Sequence, residues 1–477
     1  MRALNHLLIV VAAAFGLWVG SASADSGQTA SLPPVADFTK PATYQNLRIS
    51  PSGDLLAATV RKDDFEGVAI LKRATLEPVM AHQYGDDFEI FGMEWATDRV
   101  LLISPGIRLP SRTDFVFPTG EILALNIKNQ RSELLYGFRA GQQQTSTHFK
   151  RRESTSAAAT LVNILPDQPN HVLIQTRPFG SRPGVTQLQR LDVRNGKLRV
   201  VGKSEDSRSW FVTNSQGKLL ARARFDTAND LHVERRIKNG YDLLFSSSKS
   251  DGYVLPGPAV ELATERAKGS KESATSPSSA FYAFDNRARA TSAVAIVTLD
   301  GSTSVLHQES NVEPDRFLTN RAGTVWGVRY DGIFPDYYYP DSKHPVAHMH
   351  KRLAKTFPKE DVEFTSFSDD DQFTIAFVHG DTNPGRFYLV DLKAGSVVEL
   401  LDSRPWLDTA QLSEMQPVEV TARDGQKVVA MLTIPKVTRR KTPPPAVVLV
   451  HGGPHGVYDR WGFLSMCFPA SYLYQLK

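Results

Sequence analysis

The residues with the clearest chemical potential lie late in the chain, where His451-Gly452-Gly453-Pro454 follows the apolar run Ala446-Val447-Val448-Leu449-Val450. Acyl transfer passes through a tetrahedral oxyanion, which backbone N–H groups stabilise when they are aimed at the developing charge. A segment that brings its backbone that close to a substrate must carry no bulky side chains, and Gly452-Gly453 meets that need. Gly453 is the first candidate oxyanion donor and Gly452 the second; His451 and Pro454 complete the loop. Such chemistry also needs a nucleophile and a base. No glycine of the 477 residues opens a G-x-S-x-G sequence. Gly202-Lys203-Ser204 comes nearest, but Glu205-Asp206 follows it. His451 belongs to the loop and is not the base.

Other reactive groups read as structural. His344, His348 and His350 lie within "HPVAHMH", on a short helix that Pro345 opens and that ends near "KTFP". Histidines at i and i+4 can share a metal. No acidic general base stands between these two, so they are expected on a solvated helix face. Asp369-Asp370-Asp371 is expected in a turn, where Asp bonds its own backbone. Cys467 is the single cysteine, which excludes an internal disulfide and a cysteine-based zinc site. No metal or cofactor motif is present.

The elements that would position a site are short strands. "DLLAATV", "VLLIS", "HVLIQTR", "LLARARF", "TVWGVRY" and "RFYLVDL" are rich in β-branched, aromatic and aliphatic residues. Polar turns precede them at Ser50, Trp95, Leu165, Thr213, Phe284, Thr319 and Phe367. Most steps between these turns are about 45–50 residues, the spacing of propeller blades. The longer step from Thr213 to Phe284 holds a Ser-, Lys- and Gly-rich stretch that reads as an inserted loop. A second signature, strand, tight turn, strand, recurs in "LNIKNQRSELL", "LDVRNGKLRVV", "VTLDGSTSVL" and "VDLKAGSVVELL". The expected fold class is all-β, a seven-bladed β-propeller, with a two-sheet sandwich as the competing architecture.

The pattern changes after Met415. "QPVEVTARDGQKVVAMLTIP" reads as a hairpin, Pro443 to Pro445 as a stiff lead-in, and Ala446 to Val450 as a strand buried on both faces of a parallel sheet. An HGG-type loop after an early strand supplies one oxyanion donor in α/β-hydrolases. The chain is therefore divided into a signal peptide (1–24), a β-propeller (25–415) and the first strands of an incomplete α/β-hydrolase domain (416–477).

The ends and the composition bound the setting. Arg2, an apolar run from Leu7 to Gly20 and the small residues Ala22-Ser23-Ala24 form a secretory leader. Cleavage near Ala24 and export to the periplasm or medium are expected, with no membrane span in the mature chain. Apolar residues make up 41% and charged residues 22%, enough for a sizeable core. A net charge of +4 and the lack of a basic stripe argue against a nucleic-acid partner.

Taken together, "PVADFTKPATYQNLRISPSGDLLA", "FSDDDQFTIAFVHGDTNPGRFYLVDLKAG" and "VTARDGQKVVAMLTIPK…PPPAVVLVHGGPHGVYDRWGF" resemble the prolyl oligopeptidase family of serine peptidases, above all its acylaminoacyl-peptidase and dipeptidyl-aminopeptidase-like branch. The resemblance covers nearly the whole mature chain. It implies a propeller capping an α/β-hydrolase domain, and oligopeptides as the substrate class. It also implies a Ser-Asp-His triad, in that chain order, which these residues lack. After Phe463, "LSMCFPASYLYQLK" no longer resembles the family, as a frameshift or premature stop would produce. A peptidase whose chain is inactive is thus one expectation. The alternatives are a propeller module that binds peptides or a partner, and a decayed gene product.

Overall fold

The computed structural model describes residues 34–62, 65–83, 89–108, 116–140, 154–180, 184–262, 278–436, 446–450 and 461–462. The leader and the His451–Pro454 loop lie outside them. Among the described residues, no helix is long and apolar enough to cross a membrane.

Seven consecutive antiparallel sheets follow one another along the chain, as the repeat predicts. Each follows a meander order, the second with an additional short strand, Val116–Pro118, paired beside its path, and most of the hairpins turn through short polar segments. The first blade runs from Leu47–Ile49 to Pro78–Gln83, and the seventh from Asp361–Phe367 to Ser396–Asp402. Five of the seven expected turns join the first and second strands of a blade outright: 50–54, 165–170, 213–218, 319–323 and 367–372. Thr97 and Val100 pair around the turn of the second blade, where the Trp95 turn was expected. In this arrangement the first-to-second turns share one face of the ring. The second-to-third turns, the blade-to-blade links and both chain extensions share the other.

The fifth blade corrects the reading. The turn at Phe284 joins Ser278–Asp285 to Ala293–Thr298, which are the second and third strands. The stretch expected to be an inserted loop contains the blade's first strand, Val254–Leu262. Turn residues mark any hairpin alike, so their chemistry did not say which hairpin this was. The sixth blade has three strands, Pro314–Thr319, Val325–Asp331 and Pro335–Tyr338, followed by the helix Pro345–Thr356 in place of a fourth.

The core is divided among the junctions between blades. Trp95, Leu101 and Leu125 of the second blade pack on Ala57 and Ile70 of the first. Phe281 and Ala283 of the fifth pack on Val212 and Val233 of the fourth. At the closing junction, Ile375, Phe387 and Leu401 of the seventh blade share a core with Leu47, Ile49 and Leu56 of the first. Both faces of every sheet are thereby covered, and burying one such side chain contributes about 1.5–3 kcal/mol.

The region after the ring is different. Met415–Thr421 and Lys427–Thr433 pair as the expected hairpin. They pair with no other strand among the described residues, and Val420, Val428, Val429 and Leu432 remain exposed. Residues 446–450 form no strand and are all exposed, Val448 at 85% and Val450 at 80%. The expectation of a strand buried on both faces is overturned. A parallel strand needs neighbours for its backbone groups and both its faces, and no described residues supply them. Limited proteolysis is expected to trim the chain back toward about residue 415 while the blades survive. A tail as protected as the blades would contradict this.

Candidate functional site

The four loop residues singled out by the sequence, His451, Gly452, Gly453 and Pro454, lie outside the described residues, but the segments on either side of them do not. Both meet the ring at one place, the turn between the second and third strands of the seventh blade. The buried Asp381 accepts a hydrogen bond from the Met415 backbone N–H at 2.7 Å, which fixes the start of the hairpin. Next to it, a Cβ on Gly380 would lie 2.9 Å from the Trp461 ring, so only glycine lets the indole come this close. Trp461 also stands edge-on to Phe334 of the sixth blade, with centroids 5.5 Å apart. Asn383 secures the turn, donating to Glu360 at 2.8 Å and to the Val378 carbonyl at 3.2 Å. The stretch carrying the candidate loop is thus tethered before and after to adjacent residues of one turn.

Beside this turn lies a charged cluster of the sixth and seventh blades. Arg329 donates to Asp361 (2.9 Å) and to Asp315 (3.0 Å), and Tyr337 donates to Asp361 at 2.6 Å. Arg316 pairs with Glu363 at 2.5 Å, and His379 stands 3.8 Å from the same carboxylate. Burial pushes the Glu363 carboxyl up, but His379 and the Arg316 charge outweigh it and hold it at about 2. Burial and the neighbouring Asp361 raise the Tyr337 hydroxyl well above its usual range. Asp361, Glu363 and His379 offer three atoms within 4.8 Å of one another, a spacing that could suit a cation. Their partners do not suit one. Asp361 is already committed to Arg329 and Tyr337, and two guanidinium groups would repel the ion. The cluster is an ion-pair network that locks the two blades together.

The three histidines of "HPVAHMH" do not act together. The helix forms as expected, but His350 is fully buried rather than solvated, while His348 is exposed. Helical periodicity explains the error, because His350 shares a face with Val346, Met349 and Leu353, all buried. Its Nε2 lies 2.7 Å from the Val362 carbonyl and its Nδ1 2.9 Å from the Tyr339 hydroxyl. Asp370 plays the expected turn role, accepting from Ser368 Oγ and the Gln372 N–H. Asp369 and Asp371 instead bond to Arg321 and Asn320 of the sixth blade.

One set of residues unflagged by the sequence has the composition of a catalytic triad. In the fourth blade, His232 Nδ1 lies 3.3 Å from Ser246 Oγ and Nε2 lies 2.9 Å from Asp226. His232 and Ser246 are directly opposed on neighbouring strands, so ordinary cross-strand pairing brings them together. The two ring nitrogens are used in the reverse sense of a triad. Ser246 also lies on an extended outer strand rather than on a strained elbow beside an oxyanion hole.

The cavities lie on the inner wall of the ring. One of about 540 Å³ is lined by Trp210, Pro256, Val260 and Tyr282 of the fourth and fifth blades and by Thr319 and Gly323 of the sixth. Another, of about 350 Å³, is lined by Arg48, Phe91, Met93, Pro118 and Leu161 of the first three. The lining, drawn mainly from first strands, is a mixture of apolar and polar groups.

No family model matches the chain. Dipeptidyl aminopeptidase BIII of Pseudoxanthomonas mexicana is 22% identical to it over 338 residues, which cover 68% of this chain and 46% of that protein. The chain thus spans about half the length of its curated relative. In fold it is similar to puromycin hydrolase, with a TM-score of 0.53 and 12% identity over 92% of this chain and 66% of that one. A puromycin-hydrolyzing peptidase of Mycobacterium tuberculosis gives 0.53 and 15% over 92% and 66%. A structure from an analysis of two prolyl endopeptidases gives 0.52 and 11% over 92% and 59%. These likenesses agree with the resemblance drawn from the sequence, that to a peptidase of the prolyl oligopeptidase type.

Burial gives this site a measurable acid response. It lowers the His350 pKa to about 4, with the Val362 carbonyl and Asp361 opposing the shift. Between about pH 6.5 and 4 the unfolded chain binds the proton that the folded chain refuses, so stability falls as pH falls through that window. Chemical denaturation at pH 7 and pH 4.5 is expected to show a loss on the order of 2–3 kcal/mol from this group. In His350→Gln the loss over that window should shrink; an unchanged pH slope would refute the assignment.

Proposed function

We propose that the chain supplies the propeller and the first strands of the catalytic domain of an exported serine-type peptidase of the prolyl oligopeptidase type, acting on oligopeptides by acyl transfer. In this reading, residues 1–24 are the leader, 25–415 the propeller and 416–477 the beginning of the α/β-hydrolase domain. The observation that carries it is the double tether at one turn. Asp381 holds the opening of the hairpin and Gly380 receives Trp461, and the stretch between them contains His451-Gly452-Gly453-Pro454. Gly453, or failing it Gly452, would present a backbone N–H to the oxyanion.

A polypeptide of these 477 residues is nonetheless expected to be catalytically silent. It contains no G-x-S-x-G elbow, and with no nucleophile and base it lacks covalent and acid–base catalysis together. A second reading, a propeller that binds peptides without turning them over, draws support from the channel cavity faced by Trp210 and Tyr282. Incubation of residues 25–477 with a serine-directed fluorophosphonate probe and with aminoacyl and acylaminoacyl reporter substrates separates the cases. No labelling and no turnover are expected. Labelling of any serine, Ser246 included, would overturn the silent-chain reading. Peptide binding without turnover would favour the second reading.

A further inference from the structure

Among the described residues, the ring closes without a shared strand. Every sheet is built from consecutive segments, so the first and seventh blades meet as separate units. In place of strand pairing, a few hydrogen bonds cross this seam. The Ile49 N–H donates to Ser366 Oγ at 2.9 Å, the Asp369 N–H to the Pro51 carbonyl at 2.7 Å, and the Thr43 N–H to the Ser403 carbonyl at 2.9 Å. Arg48 of the first blade donates to the Thr365 carbonyl of the seventh at 2.5 Å and to the Met93 carbonyl of the second at 3.2 Å.

One side chain spans the seam from further away. Arg321 sits in the first-to-second turn of the sixth blade, and only 4% of its side chain is exposed. Its Nε donates to Asp369 of the seventh blade at 2.6 Å. Its Nη1 donates to Glu94 at 3.3 Å and its Nη2 to the Ala96 carbonyl at 3.4 Å, both in the second blade. The sixth and second blades flank the two seam blades and are not neighbours. The other carboxylate oxygen of Glu94 lies 4.0 Å from Arg48 Nε. Charges therefore alternate, Arg48, Glu94, Arg321, Asp369, across four successive blades centred on the seam. Arg321 and Glu94 also line a cavity of about 300 Å³ together with Leu161 and Phe364, residues of the third and seventh blades, so the guanidinium lies across the channel itself.

We propose that Arg321 is a clasp: it holds the ring shut by bridging the blades on either side of the seam, and in doing so it closes the turn-face end of the channel. The planar fork suits this work, because three acceptors from two blades approach it from different sides, which a single ammonium could not satisfy equally. The inference does not depend on the peptidase reading.

Hydrogen exchange of the full chain, resolved to single amides, tests it. In Arg321→Ala the amides that cross the seam, Ile49 and Asp369, are expected to exchange about tenfold faster. The Ala159 amide, which bonds to the Gly120 carbonyl across the second-to-third junction, should be unchanged. Arg321→Lys should restore part of the protection. Should Arg321→Ala fail to fold, Glu94→Gln and Asp369→Asn each remove one arm and should show the same selective pattern in smaller degree. Equal acceleration at the seam and at Ala159, or none at either, would overturn the clasp.

Discussion

A twisted four-stranded sheet has two apolar faces and cannot cover them by itself. In this chain each sheet covers the next, and the seventh must cover the first. That closure is the constraint on which the rest of the structure depends. It explains why the core is divided into separate clusters at the junctions, and why the first strands supply Leu47, Ile49, Val212 and Val254 to those clusters. It also explains why the largest buried side chains, Trp95, Trp326, Tyr330 and Phe281, belong to the inner strands of their blades. Opening one junction would expose the faces of two blades.

The two faces of the ring are given different work. On the turn face, polar side chains stitch neighbouring turns together: Ser52 to Asp98, Gln168 to Gln216, Asn320 to Asp371. On the opposite face, the seventh blade offers the turn that grips the later chain through Gly380 and Asp381. The Arg329, Asp361 and Tyr337 network stands behind that turn and fixes the seventh blade against the sixth. A docking turn is only as well placed as the blade that carries it, and the ion-pair network beside it ties that blade to the sixth.

Much of this was legible in the sequence, for physical reasons that differ by feature. The blade count came from turns such as Ser50–Asp54, because polar turn residues and β-branched runs follow local rules. The hairpin at Arg423-Asp424-Gly425 was legible for the same reason, and Gly425 adopts the positive φ that its turn requires. The fifth blade was misplaced because a turn at Asn286 looks alike in any hairpin. Ala446 to Val450 reads as a buried strand from its apolarity alone, but burial depends on neighbours that the described residues do not provide. His350 was hidden by its type, since a histidine between apolar helix positions looks polar until the periodicity is followed. Arg321 and Glu94 were out of reach altogether, being 227 residues apart with no local pattern to join them.

The packing at the junctions makes the seven blades one closed cooperative unit. Differential scanning calorimetry of the full chain tests it most directly. Closure couples every junction to its neighbours, so the account predicts one main transition with a calorimetric-to-van't Hoff enthalpy ratio of about 1. The tail, with its exposed valines, should add no separate peak. Two or more transitions of comparable enthalpy would contradict the account, because they would mean that blades unfold in groups and that the ring is not a closed cooperative whole.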